Sequence, residues 1–258
     1  LLTSAIARMN MFMHGIEEFD IVRGDTLANP GLLVNDELKK FNVILANPPY
    51  SIKSWDRKTF ESDPYGRNLW GTPPQGCADY AFQQHIQKSL DLKNGRSISL
   101  WPHGILFRDS EANMRRKMIE EDQVECVIGL GPNLFYNSPM EACLLITKTN
   151  KEKNKQGKVL IINAVKEVRQ DKNIAYLENN HIERIYKGYI DYKDVDGFCK
   201  VVSIDDVLTH KASLNMALYV SNVDSSQENI SLDEALANWS ESSEKLATSM
   251  EQLFKELG

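Results

Sequence analysis

No apolar run in these 258 residues approaches the roughly 18 consecutive residues that a membrane-spanning helix needs. No charged segment leads into an apolar core in the manner of a signal peptide. Cysteine is scarce and widely spaced: Cys77, Cys126, Cys143 and Cys199 form no C-x-x-C pair. The five histidines are scattered, and metal-ligand spacing is missing. Excess positive charge is lacking too, because the formal net charge is −6. These absences argue against a spanning helix, a zinc-organised fold and a protein held on nucleic acid by its overall field. Cys126 and Cys143 lie in apolar runs, where a free thiol behaves as a small buried hydrophobe. That usage suits a reducing compartment, so a cytoplasmic location is expected, with no membrane partner.

What is present reads as a globular chain, with 42% hydrophobic and 26% charged residues and no internal repeat or low-complexity segment. The chain opens at Leu1 rather than Met, inside a helical pattern, and a piece of a longer protein is expected. Ile6, Met9 and Met13 stand at helical spacing before Gly15. "FDIVRGDTL" reads as a short strand and "FNVILANPPY" as a second, buried one. A loop rich in Pro and Gly spans residues 51–76, long enough to suggest a functional role. Phe82, Ile86 and Leu90 mark an amphipathic helix, "RSISLWP" a strand, and Asp109 or Ser110 a cap for "EANMRRKMIEE". "VECVIGL", "EACLLITKT" and "KVLIINA" follow as strands.

Strands alternating with helices imply an α/β fold with parallel pairing. The last two strands, joined by the polar turn "NKEKNKQGK", predict an antiparallel hairpin at one edge. Three segments are expected: a catalytic α/β segment over 1–166, an irregular helical extension over 167–225, and a heptad-patterned tail over 226–258. In that tail Leu232, Leu236, Trp239, Ser243, Leu246, Met250, Leu253 and Leu257 follow steps of four and three, with Ser231 and Glu234 at capping-box spacing. So narrow a seam suits another helix, in its own chain or in a partner.

The chemistry concentrates at Asn47-Pro48-Pro49-Tyr50. In α/β sheets ligands gather beyond the carboxyl ends of strands, and both Asp25 and this tetrapeptide stand at such ends. The Asn47 amide oxygen and the Pro48 carbonyl, on backbone that Pro49 keeps extended, can accept both hydrogens of one planar amino group. Tyr50 supplies a face for an aromatic base. A conjugated amine is a poor nucleophile because its lone pair is delocalised, and two fixed acceptors favour the pyramidal geometry of attack. Neither group abstracts a proton, so positioning rather than strong base catalysis is implied. The plainer alternative is a strand-to-turn boundary, since N-P and P-P are ordinary punctuation.

Asn-Pro-Pro-Tyr after a strand resembles the catalytic motif of amino-directed, S-adenosylmethionine-dependent methyltransferases. The segments "ARMNMFMHGI", "GDTL", "ANPPYSIKSW", "DYAFQQHI", "PHGILFR", "VIGLGPNLFY" and "DGFCKVVS...SLNMALYV" resemble, in order, the modification subunit of type I restriction-modification systems. The resemblance covers about residues 1–220. It implies an incomplete Rossmann-like methyltransferase sheet with a C-terminal helical extension, and N6 methylation of adenine in double-stranded DNA.

By that resemblance Asn47 and Pro48 hold the target amine, Tyr50 stacks on the flipped adenine, and Phe135 or Tyr136 supports its other side. Asp25, with Asn47, contacts S-adenosylmethionine. "NSPMEA" replaces the "GTGIPT" more usual after that aromatic position. The family's glycine-rich cofactor loop is not found in the sequence, so weak cofactor binding by these residues alone is expected. Implied partners are a specificity subunit docking on the 231–257 helix, a second modification subunit and a restriction subunit. Phosphate contacts are open to Lys53, Arg57, Lys58 and Arg67, and to Arg108, Arg115, Arg116 and Lys117, with solvated surface charge as the alternative. Two other functions stay open: a protein-glutamine methyltransferase, which shares the tetrapeptide, and an idle assembly subunit.

Overall fold

In the computed structural model, residues 2–135, 138–171, 174–220 and 232–257 are described. The chain forms two compact units, Leu1–Ser221 and Asn222–Gly258. In the first, α1 (Leu2–Met13) buries none of its residues. A two-residue hairpin, β1 (Leu33–Val34) and β2 (Glu37–Leu38), turns at Asn35 and Asp36. Both have positive φ, as a tight primed turn requires. Then follow β3 (Val43–Ala46), a short α2 (Arg57–Glu61) capped by Asp56, α3 (Asp79–Ser89), β4 (Arg96–Pro102) and α4 (Ala112–Glu120). Strands β5 (Val124–Leu130), β6 (Ala142–Lys148) and β7 (Lys158–Ala164) come next. The small pair β8 (Arg169–Asp171) and β9 (Ile174–Tyr176), α5 (Asn179–Asp191), β10 (Cys199–Ser203) and α6 (Ile204–Thr209) complete the unit.

A mixed six-stranded sheet runs in the order β10-β7-β5-β6-β4-β3. The pairs β3/β4 and β5/β7 are parallel, while β4/β6, β5/β6 and β10/β7 are antiparallel. The α/β reading therefore stands, but the hairpin is placed differently. β6 and β7 do not pair: β5 sits between them. All seven residues of β5 are buried, so its backbone needs strand partners on both sides. The antiparallel edge is instead formed by β10 against β7, which brings part of the 167–225 stretch into the sheet.

Side-chain alternation explains the two-sided core. Val127, Val159 and Ile161 point to one face with Trp101, Met118 and Val207, while Ile128, Leu160 and Ile162 point to the other with Ile185 and Phe198. β3 is an edge strand rather than a fully buried one. Ile44 and Ala46 pack on the core, but Leu45 is 75% exposed. "FDIVRGDTL" forms no strand, since no neighbouring backbone pairs with it among the described residues. Neither Asp109 nor Ser110 caps α4: they lie in a 3₁₀ turn, and Glu111 is the N-cap, without a side-chain bond.

The second unit contains α7 (Leu232–Leu257). Leu236, Trp239, Leu246 and Met250 are exposed along it. Ser243, the polar break in the seam, bonds back to the Trp239 carbonyl at 2.9 Å. Ser231 and the side chains of Leu232, Glu234, Leu253 and Leu257 lie outside the described residues. No helix among the described residues is long and apolar enough to cross a membrane.

Candidate active site

β3 ends where its sequence removes the means to continue: Pro48 and Pro49 carry no N–H, so the ladder with β4 stops at Ala46. Asn47 is exposed, while Pro48 and Tyr50 are half-buried. The Tyr50 hydroxyl donates to Asn47 Oδ1 at 3.0 Å. Burial, with Cys143 and Asp79 nearby, pushes the Tyr50 phenol above its ordinary value, which keeps it a neutral donor. The next residue, Ser51, takes a left-handed φ of 49° although it is not glycine.

A cavity of about 500 Å³ opens beside this turn, lined by Asn47, Pro48, Tyr50 and Phe135, with Met140 and Glu141 at the start of β6. Its size lies within the roughly 300–1,000 Å³ of small-molecule sites. Four sequence-predicted residues thus meet in one space, although Phe135 lies far along the chain from the tetrapeptide. Ser138 N–H donates to the Phe135 carbonyl at 3.0 Å, fixing the local turn. Tyr136 lies outside the described residues.

Asp25 does not line this cavity. Its Oδ1 accepts the Leu27 and Ala28 N–H groups, each at 3.0 Å, leaving its other oxygen without a bond among the described residues. One such acceptor has the chemistry to take a hydrogen bond from a hydroxyl or an amine.

The basic candidates sort by burial. Arg67 is 1% exposed, pairs with Asp63 at 2.6 Å and donates to the Thr26 and Leu27 carbonyls at 2.8 and 2.7 Å. Arg115, equally buried, donates to the Ala212 carbonyl at 2.7 Å. Arg57 pairs with Glu61 at 2.5 Å and bonds Pro73 O at 2.8 Å. Arg67 and Arg115 are structural and do not face phosphates. Lys53, Lys58 and Lys117 are exposed.

Two neighbours of the site, Glu141 and Asp79, escaped the sequence reading. Glu141 stands in the cavity wall with its carboxylate 3.1 Å from His103 Nδ1. Its only sequence signal is the unusual "NSPMEA" segment. Asp79, the fully buried first residue of α3, accepts the Ser51 N–H at 2.7 Å and pairs with Arg108 at 2.6 Å. Cys77, Asp79 and Glu111 bring three metal-capable atoms within 4.8 Å of one another, but the Arg108 guanidinium sits among them. That cluster is the seat of a guanidinium.

Comparison with known proteins agrees with this architecture. The N-6 DNA Methylase family matches residues 1–228. The chain is 34% identical over 239 residues to the type I restriction enzyme MjaVIII methylase subunit of Methanocaldococcus jannaschii, covering 88% of this chain and 41% of that protein. It is 28% identical to the HindI methylase subunit of Haemophilus influenzae, covering 92% and 54%. The type I restriction-modification methyltransferase subunit from Streptococcus thermophilus superimposes with a TM-score of 0.77 at 32% identity, covering 85% of this chain and 46% of that one. The chain spans about half the length of the relatives it matches. With a match across most of its residues, the chain belongs to the N-6 DNA methylase family.

Proposed function

We propose that this chain is the catalytic part of a type I modification subunit that methylates N6 of adenine in double-stranded DNA, with S-adenosylmethionine as methyl donor. The observation that carries the reading is the meeting of Asn47, Pro48, Tyr50 and Phe135 around one base-sized cavity. When bound, the cofactor supplies an electrophilic methyl on a sulfonium sulfur. Asp25 and Asn47 are the residues that would touch it.

Asn47 Oδ1 and the Pro48 carbonyl hold the two amine hydrogens and align the nitrogen lone pair. Tyr50 now occupies the Asn47 oxygen. A substrate amine takes its place as donor, and the freed ring lies against the base. Phe135 supports the opposite face, and the cavity walls keep the base out of water while its amine reacts.

The wider assembly belongs to the same proposal. α7 is the docking helix for a specificity subunit, and a second modification subunit and a restriction subunit complete the complex. In this reading the catalytic segment runs to about residue 166, and β10 of the extension that follows adds an antiparallel edge to its sheet. Four buried free cysteines support a cytoplasmic setting.

The test is methyl transfer by the full-length subunit with its specificity partner, using labelled S-adenosylmethionine. Asn47→Ala is expected to lose on the order of 10²–10³-fold in transfer to DNA. Label appearing in protein points instead to a glutamine methyltransferase. No label in either product from wild type points to an assembly subunit.

A further inference from the structure

The turn that carries the tetrapeptide is held from behind. Ser51 adopts φ 49°, a left-handed conformation that is unfavourable for a non-glycine residue and persists only when its surroundings enforce it. Its N–H donates at 2.7 Å to Oδ1 of Asp79, whose residue is wholly buried at the start of α3. Oδ2 of the same carboxylate receives Arg108 Nη2 at 2.6 Å. Behind Arg108 stands Glu111, also wholly buried, 3.3 Å from the guanidinium Nε and with neither oxygen hydrogen-bonded otherwise. Arg108 Nη1 also reaches Cys77 Sγ at 2.6 Å.

We infer that Asp79, locked by Arg108 and Glu111, is a positioning residue that sets the Asn47–Tyr50 acceptors by fixing the Ser51 amide. Pro48 and Pro49 have no N–H groups of their own. The tetrapeptide is therefore fastened chiefly at its ends, by the β3/β4 ladder on one side and by the Ser51–Asp79 bond on the other. Two acceptors that must share one amine tolerate little displacement, since an error near 1 Å can cost on the order of 100-fold in rate. Asp79 does not line the cavity, and its one hydrogen bond to the turn is to the Ser51 backbone. The Coulombic and hydrogen-bonding needs of the buried carboxylate are met by Arg108 and Ser51 together, which explains why a charge sits at a fully buried helix start.

This inference rests on the methyltransferase reading, and its test has one arm that does not. The variants are Asp79→Ala and Asp79→Asn in the full-length subunit with its specificity partner. Amide hydrogen exchange over residues 47–53 should speed by about tenfold or more in Asp79→Ala, with α3 and β4 unchanged. In the activity arm, kcat for DNA methylation should fall about 10–100-fold with KM for DNA within about twofold. Asp79→Asn, which keeps one carbonyl acceptor, should recover part of both effects.

Unchanged exchange over 47–53 would overturn the inference, and so would faster exchange with unaltered kcat. A loss of folded protein that accounts for the whole drop in turnover would also overturn it, because that is what a purely structural ion pair predicts. If wild type methylates no DNA, the proposed function fails, and the exchange arm alone decides whether Asp79 fastens the turn.

Discussion

At the scale of single residues, the ionisable groups that matter are those taken out of water. Arg67 draws Asp63, the Thr26 and Leu27 carbonyls and the side chain of His85 into one buried knot beneath the Asp25 turn. Burial lowers the His85 imidazole to about 4 from its ordinary 6.5, and the adjacent Arg67 cation reinforces the shift. An unfolded chain takes up that proton near 6.5, whereas the folded one holds it off until about 4. Between those values the unfolded state binds more protons, so stability falls as the solution is acidified. The slope from this group should reach at most about 1.4 kcal/mol per pH unit. Asp63 is shifted the same way by opposing causes: burial raises its carboxyl, but the bonds from Arg67 outweigh burial and leave it below 3.8, so its contribution is lost only in stronger acid. Urea unfolding at pH 7, 6 and 5 should show the decline in wild type, and His85→Gln should flatten it. Parallel curves for the two proteins would assign the acid sensitivity to other groups.

At the scale of elements, the apolar runs were legible and their neighbours were not. β5, β6 and β7 announce themselves as "VECVIGL", "EACLLITKT" and "KVLIINA", and α3 follows from Phe82 and Ile86. Nothing in three similar apolar runs says that β5 inserts between the other two, because pairing order is decided by which backbone edges stay unsatisfied in the whole sheet. "FDIVRGDTL" has strand composition but no ladder, which local pattern cannot reveal. The tetrapeptide was readable because its chemistry is local. Asp79 was not, because its bond to Ser51 spans 28 residues, and Arg67 resembles a surface charge until its carbonyl partners are known. α7 extends the same logic: its pattern shows a seam without naming what covers it. Leu236, Trp239, Leu246 and Met250 remain exposed along one helix, a stripe suited to a second helix. Leu246→Glu should abolish co-purification with a specificity subunit while leaving the thermal unfolding of the Leu1–Ser221 unit within about 1 °C of wild type. Undiminished co-purification would remove α7 from the interface.

At the scale of the whole molecule, charge is the deciding quantity. The proposed methylation of DNA requires holding a polyanion, yet this chain carries a net charge of −6. Much of its positive charge is already committed. Arg67 and Arg115 are buried on backbone carbonyls, Arg57 and Arg108 are paired, and Lys151 and Lys155 are paired with Asp122 and Glu125. Exposed Lys53 and Lys58 beside the tetrapeptide can meet a few phosphates, and each contact contributes a salt slope of only about 0.9. Two or three such contacts leave non-specific affinity in the weak range, on the order of 10⁻⁴–10⁻⁵ M near physiological salt. In the proposed assembly the remaining phosphate contacts come from the partner subunits. Fluorescence anisotropy with a duplex carrying a single target site should give that weak, shallowly salt-dependent binding for the 258-residue chain. Adding the remainder of the subunit and its specificity partner should tighten it by about 10³-fold or more, the usual gap between non-specific and specific complexes. Lys53→Ala with Lys58→Ala should flatten the salt dependence of the assembled complex by about two phosphate equivalents, without changing which sequence is bound. Nanomolar binding by the isolated chain would show that its own surface suffices, and the division of labour between catalytic and DNA-holding parts would have to be abandoned.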